Sequence, residues 1–195
     1  QVIRSKNWAW TTVINGSHVK DRINRISTTL KNTSYQIEED SPLRLRFREG
    51  GSQYDIYAVR SAGIDPATGQ EIFIDRNGEY TFRYDADDEV VVGNTQPKLQ
   101  GTWLNTLRYK GWSLNLVFSY KFGGNTYNKT LWSKVEDIDP RYNVDARAFT
   151  DRWKRPGDLS RFLAIKEIRP EDSSYSSERF VERLNELWLS SAMLT

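Results

Sequence analysis

The chain has 195 residues, 28 Lys and Arg against 26 Asp and Glu, and a formal net charge of +2, so no global field recruits nucleic acid or acidic lipid. Cysteine is absent, which removes disulfide frameworks and thiolate metal sites. The mean hydropathy is -0.70 and no apolar run approaches the ~18 residues of a spanning helix, which excludes an α-helical membrane protein but not a β-barrel, whose strands are polar at every second position.

Asn7 to Asn15, NWAWTTVIN, reads as a first strand with Trp8, Trp10, Thr12 and Ile14 on one face, entered through a short turn at Lys6-Asn7. Residues 16–98 are polar and turn-rich and read as one long loop. Inside it, Glu71–Asp75 and Glu79–Tyr84 are expected to pair around Arg76-Asn77-Gly78. GIDPATG at 63–69 is a turn by chemistry, since Pro66 presets one dihedral and Gly69 permits a positive one. The stripe Arg44, Arg46 and Arg48 argues against contact with lipid, where each arginine would cost about 2–4 kcal/mol at the midplane.

Leu99 to Phe122 is the most informative stretch. After a Lys110-Gly111 turn, the even positions Trp112, Leu114, Leu116, Phe118, Tyr120 and Phe122 are apolar, while the odd positions Ser113, Asn115, Val117, Ser119 and Lys121 are polar but for the valine. Folding back sets Tyr109 opposite Trp112, Leu107 opposite Leu114, Trp103 opposite Phe118 and Leu99 opposite Phe122. Aromatics then lie at both ends of the stripe with leucines between. Strands near 99–109 and 112–122 have about the length that crosses a bilayer with tilt, and aromatic girdles around an aliphatic band mark the lipid face of barrels. A soluble β-sandwich alternates equally cleanly and stays open as an alternative, in which case a surface domain binding carbohydrate is the functional reading. The Gly123-Gly124 pair is expected to break the strand, 125–177 to form a second long loop, and 179–195 to resume as a strand with Leu187, Leu189, Ala192 and Leu194. Residues 1–195 thus read as an all-β partial barrel, a segment of a transmembrane antiparallel β-barrel with long extracellular loops, both of whose ends belong to a larger chain.

No nucleophile elbow, phosphate loop, paired-carboxylate motif or cofactor signature occurs, so the expectation is a protein that is not an enzyme. His18, the one histidine, reads as solvated, and the acidic run Asp85, Asp87, Asp88 and Glu89 lacks calcium-loop spacing. Trp132, Trp153, Tyr127 and Tyr142 in the second loop have faces on which sugars stack, and Arg141, Arg147, Arg152 and Arg155 have the chemistry to hold carboxylates. The competing reading is that these side chains pin a long loop to the rim. Trp132, Trp153, Arg152 and Arg155 are the candidate substrate contacts.

The stretches SKNWAWTTVINGSHVKDRI, SAGIDPATGQEIF, VVVGNTQPKLQGTWLNTLRYKGWSLNLVFSYKFGGNTYN, NVDARAFTDRWKRPGD and SERFVERLNELWLSSAMLT, in this order, resemble the SusC/RagA-type TonB-dependent transporters of the outer membrane. The resemblance covers most of the chain and places it in the C-terminal half of the barrel, short of its end, with the plug domain and the TonB box lying elsewhere. It implies import of glycans or oligopeptides, a SusD-like surface lipoprotein as lid, and the TonB complex and outer-membrane lipid as further partners. The short Lys110-Gly111 turn would face the periplasm and both long loops the exterior.

Overall fold

The computed structural model describes residues 2–27, 35–36, 44–138, 141, 143–165 and 176–195. Among these the strands in chain order are β1 (Ile3–Arg4), β2 (Trp8–Ser17), β3 (Tyr35–Gln36), β4 (Arg44–Leu45), β5 (Asp55–Ala58), β6 (Arg60–Ile64), β7 (Glu71–Ile74), β8 (Tyr80–Thr81), β9 (Val90–Asn94), β10 (Leu99–Tyr109), β11 (Trp112–Tyr127) and β12 (Val181–Leu194). The fold is all-β. No helix among the described residues is long and apolar enough to cross a membrane, which says nothing of crossing by strands. The chain divides into two units: Gln1–Asp21, Thr95–Asn125 and Arg183–Thr195 form the first, Arg22–Asn94 and Thr126–Glu182 the second.

The first unit is one antiparallel sheet in the order β1-β2-β10-β11-β12. The tight Lys110-Gly111 turn and the period-two pattern dictate the register, and the observed pairs Tyr109↔Trp112, Leu107↔Leu114, Trp103↔Phe118 and Leu99↔Phe122 are those the sequence implied. On the other edge of β10, Trp8, Trp10, Thr12 and Ile14 stand opposite Tyr109, Leu107, Asn105 and Trp103. One face of the three strands is therefore a continuous aromatic and aliphatic stripe. The two polar residues in its middle, Thr12 and Asn105, are satisfied diagonally by tryptophans: Trp10 Nε1 donates to Asn105 Oδ1 at 3.2 Å, and Trp103 Nε1 donates to Thr12 Oγ1 at 2.7 Å.

Tyr120 closes the stripe where the strands come closest. Its hydroxyl donates to the Asn15 carbonyl at 2.8 Å across Gly101, where a Cβ would sit 1.9 Å from that same oxygen. Only glycine fits there. The opposite face is mixed, with Thr106 Oγ1 donating to Asn115 Oδ1 at 2.9 Å and Ser119 Oγ lying 2.5 Å from Ser190 Oγ.

Along β12 the parity changes. Ser190 meets Ser119 and Trp188 lies under the Lys121 ammonium, so even residues share the polar face there, whereas Thr195 exchanges both backbone hydrogen bonds with Ser113. The apolar series changes parity over the same stretch, running Leu187, Leu189 and then Ala192, Leu194.

Two expectations are corrected. The Gly123-Gly124 pair does not end the strand: β11 runs on to Tyr127, because Gly123 takes a φ of 79° inside the strand and its N–H donates to Asn185 Oδ1 at 2.9 Å. Residues 16–98 and 125–177 are not simply loop. They contribute the second unit, in which β6-β7-β8 and β5-β9 are small antiparallel sheets, and in which Leu131, Trp132, Val135, Ile138, Ala148, Phe162 and Phe180 form an apolar core. The Arg76-Asn77-Gly78 turn is observed between β7 and a shorter β8, with Asp75 Oδ1 accepting from the N–H groups of Asn77 and Glu79 at 2.8 Å each.

In the full-length protein, Gly101→Ala should destabilise the sheet by at least the about 1–3 kcal/mol typical of overpacking, while Gly111→Ala, which meets nothing within 4 Å, should be near neutral. Thermal unfolding of the two variants checks this, and equal midpoints would refute the close approach at Gly101.

Candidate functional site

The second unit is held together by buried charge that comes from three distant segments. Glu71 on β7, Glu136 at the end of the π-helical segment Trp132–Glu136, and Arg179 in the 3-10 turn Glu178–Phe180 converge. Arg179 Nη2 donates to Glu71 Oε2 at 2.7 Å and to Glu136 Oε1 at 2.9 Å, and Nη1 donates to the Arg161 carbonyl at 2.7 Å. The Ser177 hydroxyl makes a short hydrogen bond to Glu71 Oε1. Burial opposes the charge on Arg179, but hydrogen bonds and attraction from Glu71 and Glu136 prevail and raise its pKa.

Arg152, 5% exposed, spends its guanidinium on main-chain carbonyls: Ala148 and Leu163 at 3.0 Å each, Glu136 at 2.8 Å, and Val135 in a short contact. Desolvation pulls its pKa down. A second buried node joins Glu89, Ser176 and Tyr84. Ser176 Oγ donates to Glu89 Oε1 at 2.7 Å, Tyr84 donates to the same oxygen at 3.0 Å, and burial pushes the Tyr84 phenol up to about 12. Arg46 Nε lies 2.9 Å from Glu89 Oε2 as an ion pair without hydrogen-bond alignment.

The four candidate substrate contacts fall in different places. Trp132 is buried in the core and Arg152 is engaged as described. Trp153 is half-buried: its Nε1 donates to the Pro66 carbonyl at 2.9 Å, and its ring lies where a Cβ on Gly69 would come within 2.5 Å, so it seats the 63–69 turn, whose Gly69 has the expected positive φ of 69°. Arg155 stands in solvent with its side chain 86% exposed, 3.6 Å from Asp158. Tyr127 packs on Phe180 with ring centroids 5.8 Å apart, Arg147 pairs with Asp145 at 2.8 Å, and Tyr142 lies outside the described residues.

The His18 Nδ1 is 2.5 Å from the Lys98 carbonyl, which fixes that nitrogen as the donor. The acidic run is also engaged: Asp85 caps the turn Ala86–Asp88, Asp88 faces Arg76 at 3.4 Å, and Glu89 is buried with Arg46. Among the described residues no group of three or more His, Asp or Glu is placed to hold a metal.

Among the described residues one cleft of about 310 Å³ is lined by Ala148, Phe149, Trp153, Lys154, Ala164 and Ile165 over the Arg152 stem, within the size range of small-molecule sites. Its walls are apolar and aromatic with one cation at the rim. Such a lining suits contact by apolar burial and charge. Sequence reasoning missed Glu71, Glu136 and Arg179, and saw Glu89 only as one member of an acidic run. One signal was present for the first, since Glu71 shares its strand face with Phe73 and both are buried.

The chain is similar in structure to two solved forms of a peptide transport system. "Structure of the RagAB peptide transporter" matches with a TM-score of 0.74 and 18% identity over 99% of this chain, and "Structure of the RagAB peptide importer in the 'closed-closed' state" with 0.66 and 18% over 99%. The chain spans 21% of each matched chain. No protein-family model matches, and no curated protein matches. At this identity the likeness establishes a RagA-like fold.

Removing Arg179 strands two buried carboxylates, so Arg179→Met should cost about 3–5 kcal/mol, and adding Glu71→Gln with Glu136→Gln should recover much of it. Hydrogen exchange of β7 and of residues 129–138 in the full-length protein reads both effects. Wild-type protection in Arg179→Met would remove the ion-pair network from its structural role.

Proposed function

We propose that this chain is a stretch of the wall and outer loops of a TonB-dependent outer-membrane importer of oligopeptides, working with a SusD-like surface lipoprotein and without covalent chemistry. The observation that carries the reading is the exposed apolar face of the first unit. A stripe bearing Trp8, Trp112, Leu99 and Phe122 at its ends is exposed to its surroundings, while the polar groups inside it are satisfied by one another. Water does not require such internal pairing, whereas hydrocarbon does. Strands β2, β10 and β12, with 10, 11 and 14 residues, are long enough to cross with tilt.

Both segments of the second unit leave and rejoin the sheet at the strand ends away from Lys110-Gly111. In a barrel with short periplasmic turns this unit is extracellular, where the cleft lined by Phe149, Trp153 and Lys154 is the part that meets peptide, with the solvent-exposed Arg155 next in sequence. The likeness to the RagAB peptide transporter supports peptide over glycan as the cargo.

Two measurements on the full-length protein test this. Phe118→Arg should impair barrel assembly by about 2–4 kcal/mol near the midplane and Ser119→Arg far less, so equal tolerance would refute the facing. In a cysteine-free background, Glu79→Cys and Lys134→Cys should react with an impermeant maleimide on intact cells and Lys110→Cys should not. Labelling at 110 alone, or recovery of the protein in a soluble fraction, would overturn the topology.

A further inference from the structure

The near-zero net charge hides a local imbalance. Arg4, Lys6, Arg108 and Lys110 are the only charged side chains in 2–13, 104–117 and 189–195, the parts of the sheet around its turn end. Among the described residues none of the four has a carboxylate partner within ion-pair distance. The two turns are neighbours: the Lys110 N–H donates to the Asn7 carbonyl at 3.0 Å, which sets Lys6 and Lys110 side by side.

Directly next to these lysines, Trp8, Tyr109 and Trp112 form one row across β2, β10 and β11, and they are 49%, 39% and 62% exposed. Trp8 and Tyr109 are in contact at 4.5 Å between ring centroids, and the Lys110 ammonium sits 5.3 Å from the Tyr109 ring. Cations beyond a row of amphipathic rings, themselves beyond an aliphatic band, match the order of layers in a leaflet: phosphate, interface, acyl chain. The far end of the sheet differs, since Glu182 and Glu186 stand among Lys98, Lys121 and Arg183.

We propose that the paired turns form a docking site for anionic phospholipid headgroups, Lys6 and Lys110 meeting the phosphates while Trp8, Tyr109 and Trp112 seat at the headgroup–acyl boundary. Arg4 and Arg108, opposite Ala9 on the other face of the sheet, add to the field without reaching the lipid. The inference rests on the membrane-spanning reading above. Single-sign charge with no anion near it is costly to gather unless something negative covers it, and a leaflet supplies that at the depth the aromatic row defines.

The test uses the purified full-length protein in detergent, offered equimolar phosphatidylglycerol and phosphatidylcholine, with retained lipid counted by native mass spectrometry. The wild type should retain phosphatidylglycerol preferentially, and Lys6→Gln with Lys110→Gln should cut that preference about 25-fold, at roughly fivefold for each lysine near an anionic surface. Lys20→Gln with Lys98→Gln at the other end should leave it unchanged. Equal retention of the two lipids by the wild type, or a preference untouched in the Lys6/Lys110 variant, overturns the site while leaving the barrel reading intact. Displacement of phosphatidylglycerol by millimolar inorganic phosphate overturns headgroup docking in favour of a free-anion site. Failure to retain any lipid, with recovery as a detergent-independent soluble protein, strikes the barrel reading itself.

Discussion

The first unit leaves an apolar face of its sheet exposed, and the polar side chains in the middle of that face are paired within it. Thr12 and Asn105 face each other in the middle of the stripe, and each accepts a tryptophan N–H from the strand across. An unpaired amide or hydroxyl in an apolar medium costs several kcal/mol, so these diagonals hold Trp10 and Trp103 in place and penalise any slip of β2 against β10. A one-residue slip would also invert every side chain. Tyr120 works in the same way at the close approach, capping the Asn15 carbonyl over Gly101. Register, aromatic stripe and glycine position are thus consequences of one requirement.

The second unit answers the opposite problem with the opposite means. Its segments are polar and far apart in sequence, and they are joined by buried charges: one guanidinium between Glu71 and Glu136, another capping four carbonyls. Buried ion pairs add little net stability over apolar packing but exact a large penalty when broken, so they select one arrangement of the segments over its rivals. The hydrogen bonds from Trp153 to Pro66 and from Ala164 to the Gly69 carbonyl at 3.1 Å extend that selection to the turn beside the cleft.

How much of this was legible follows from the range of the interactions. The hairpin, its register, the turn at Lys6-Asn7 and the apolar series of β12 are local patterns of period two around short turns, and they read directly from the sequence. Gly123-Gly124 misled because glycine signals a break and a bulge alike, and only the Asn185 side chain on the neighbouring strand decides which. The second unit was illegible because its defining contacts join residues more than forty positions apart, as Arg179 to Glu136 and to Glu71 do. For the same reason Trp132 and Arg152, which have the chemistry of ligand contacts, turn out to serve the core. Composition cannot separate an arginine that meets carboxylates from one that caps carbonyls.

The two units together divide labour by length of connection. At one end of the sheet the strands are joined by two-residue turns, which carry little surface and leave only backbone, aromatics and cations to meet whatever lies there. At the other end the chain spends most of its residues on connections, and long connections normally lack the burial needed to offset their ordering entropy. Here that burial comes from within, through the core around Val135, Phe162 and Phe180 and the ion pairs beside it. The segment that lines the Phe149 and Trp153 cleft is therefore held in place by the chain's own contacts, and any ligand proposed for it would not have to bear the cost of ordering that segment.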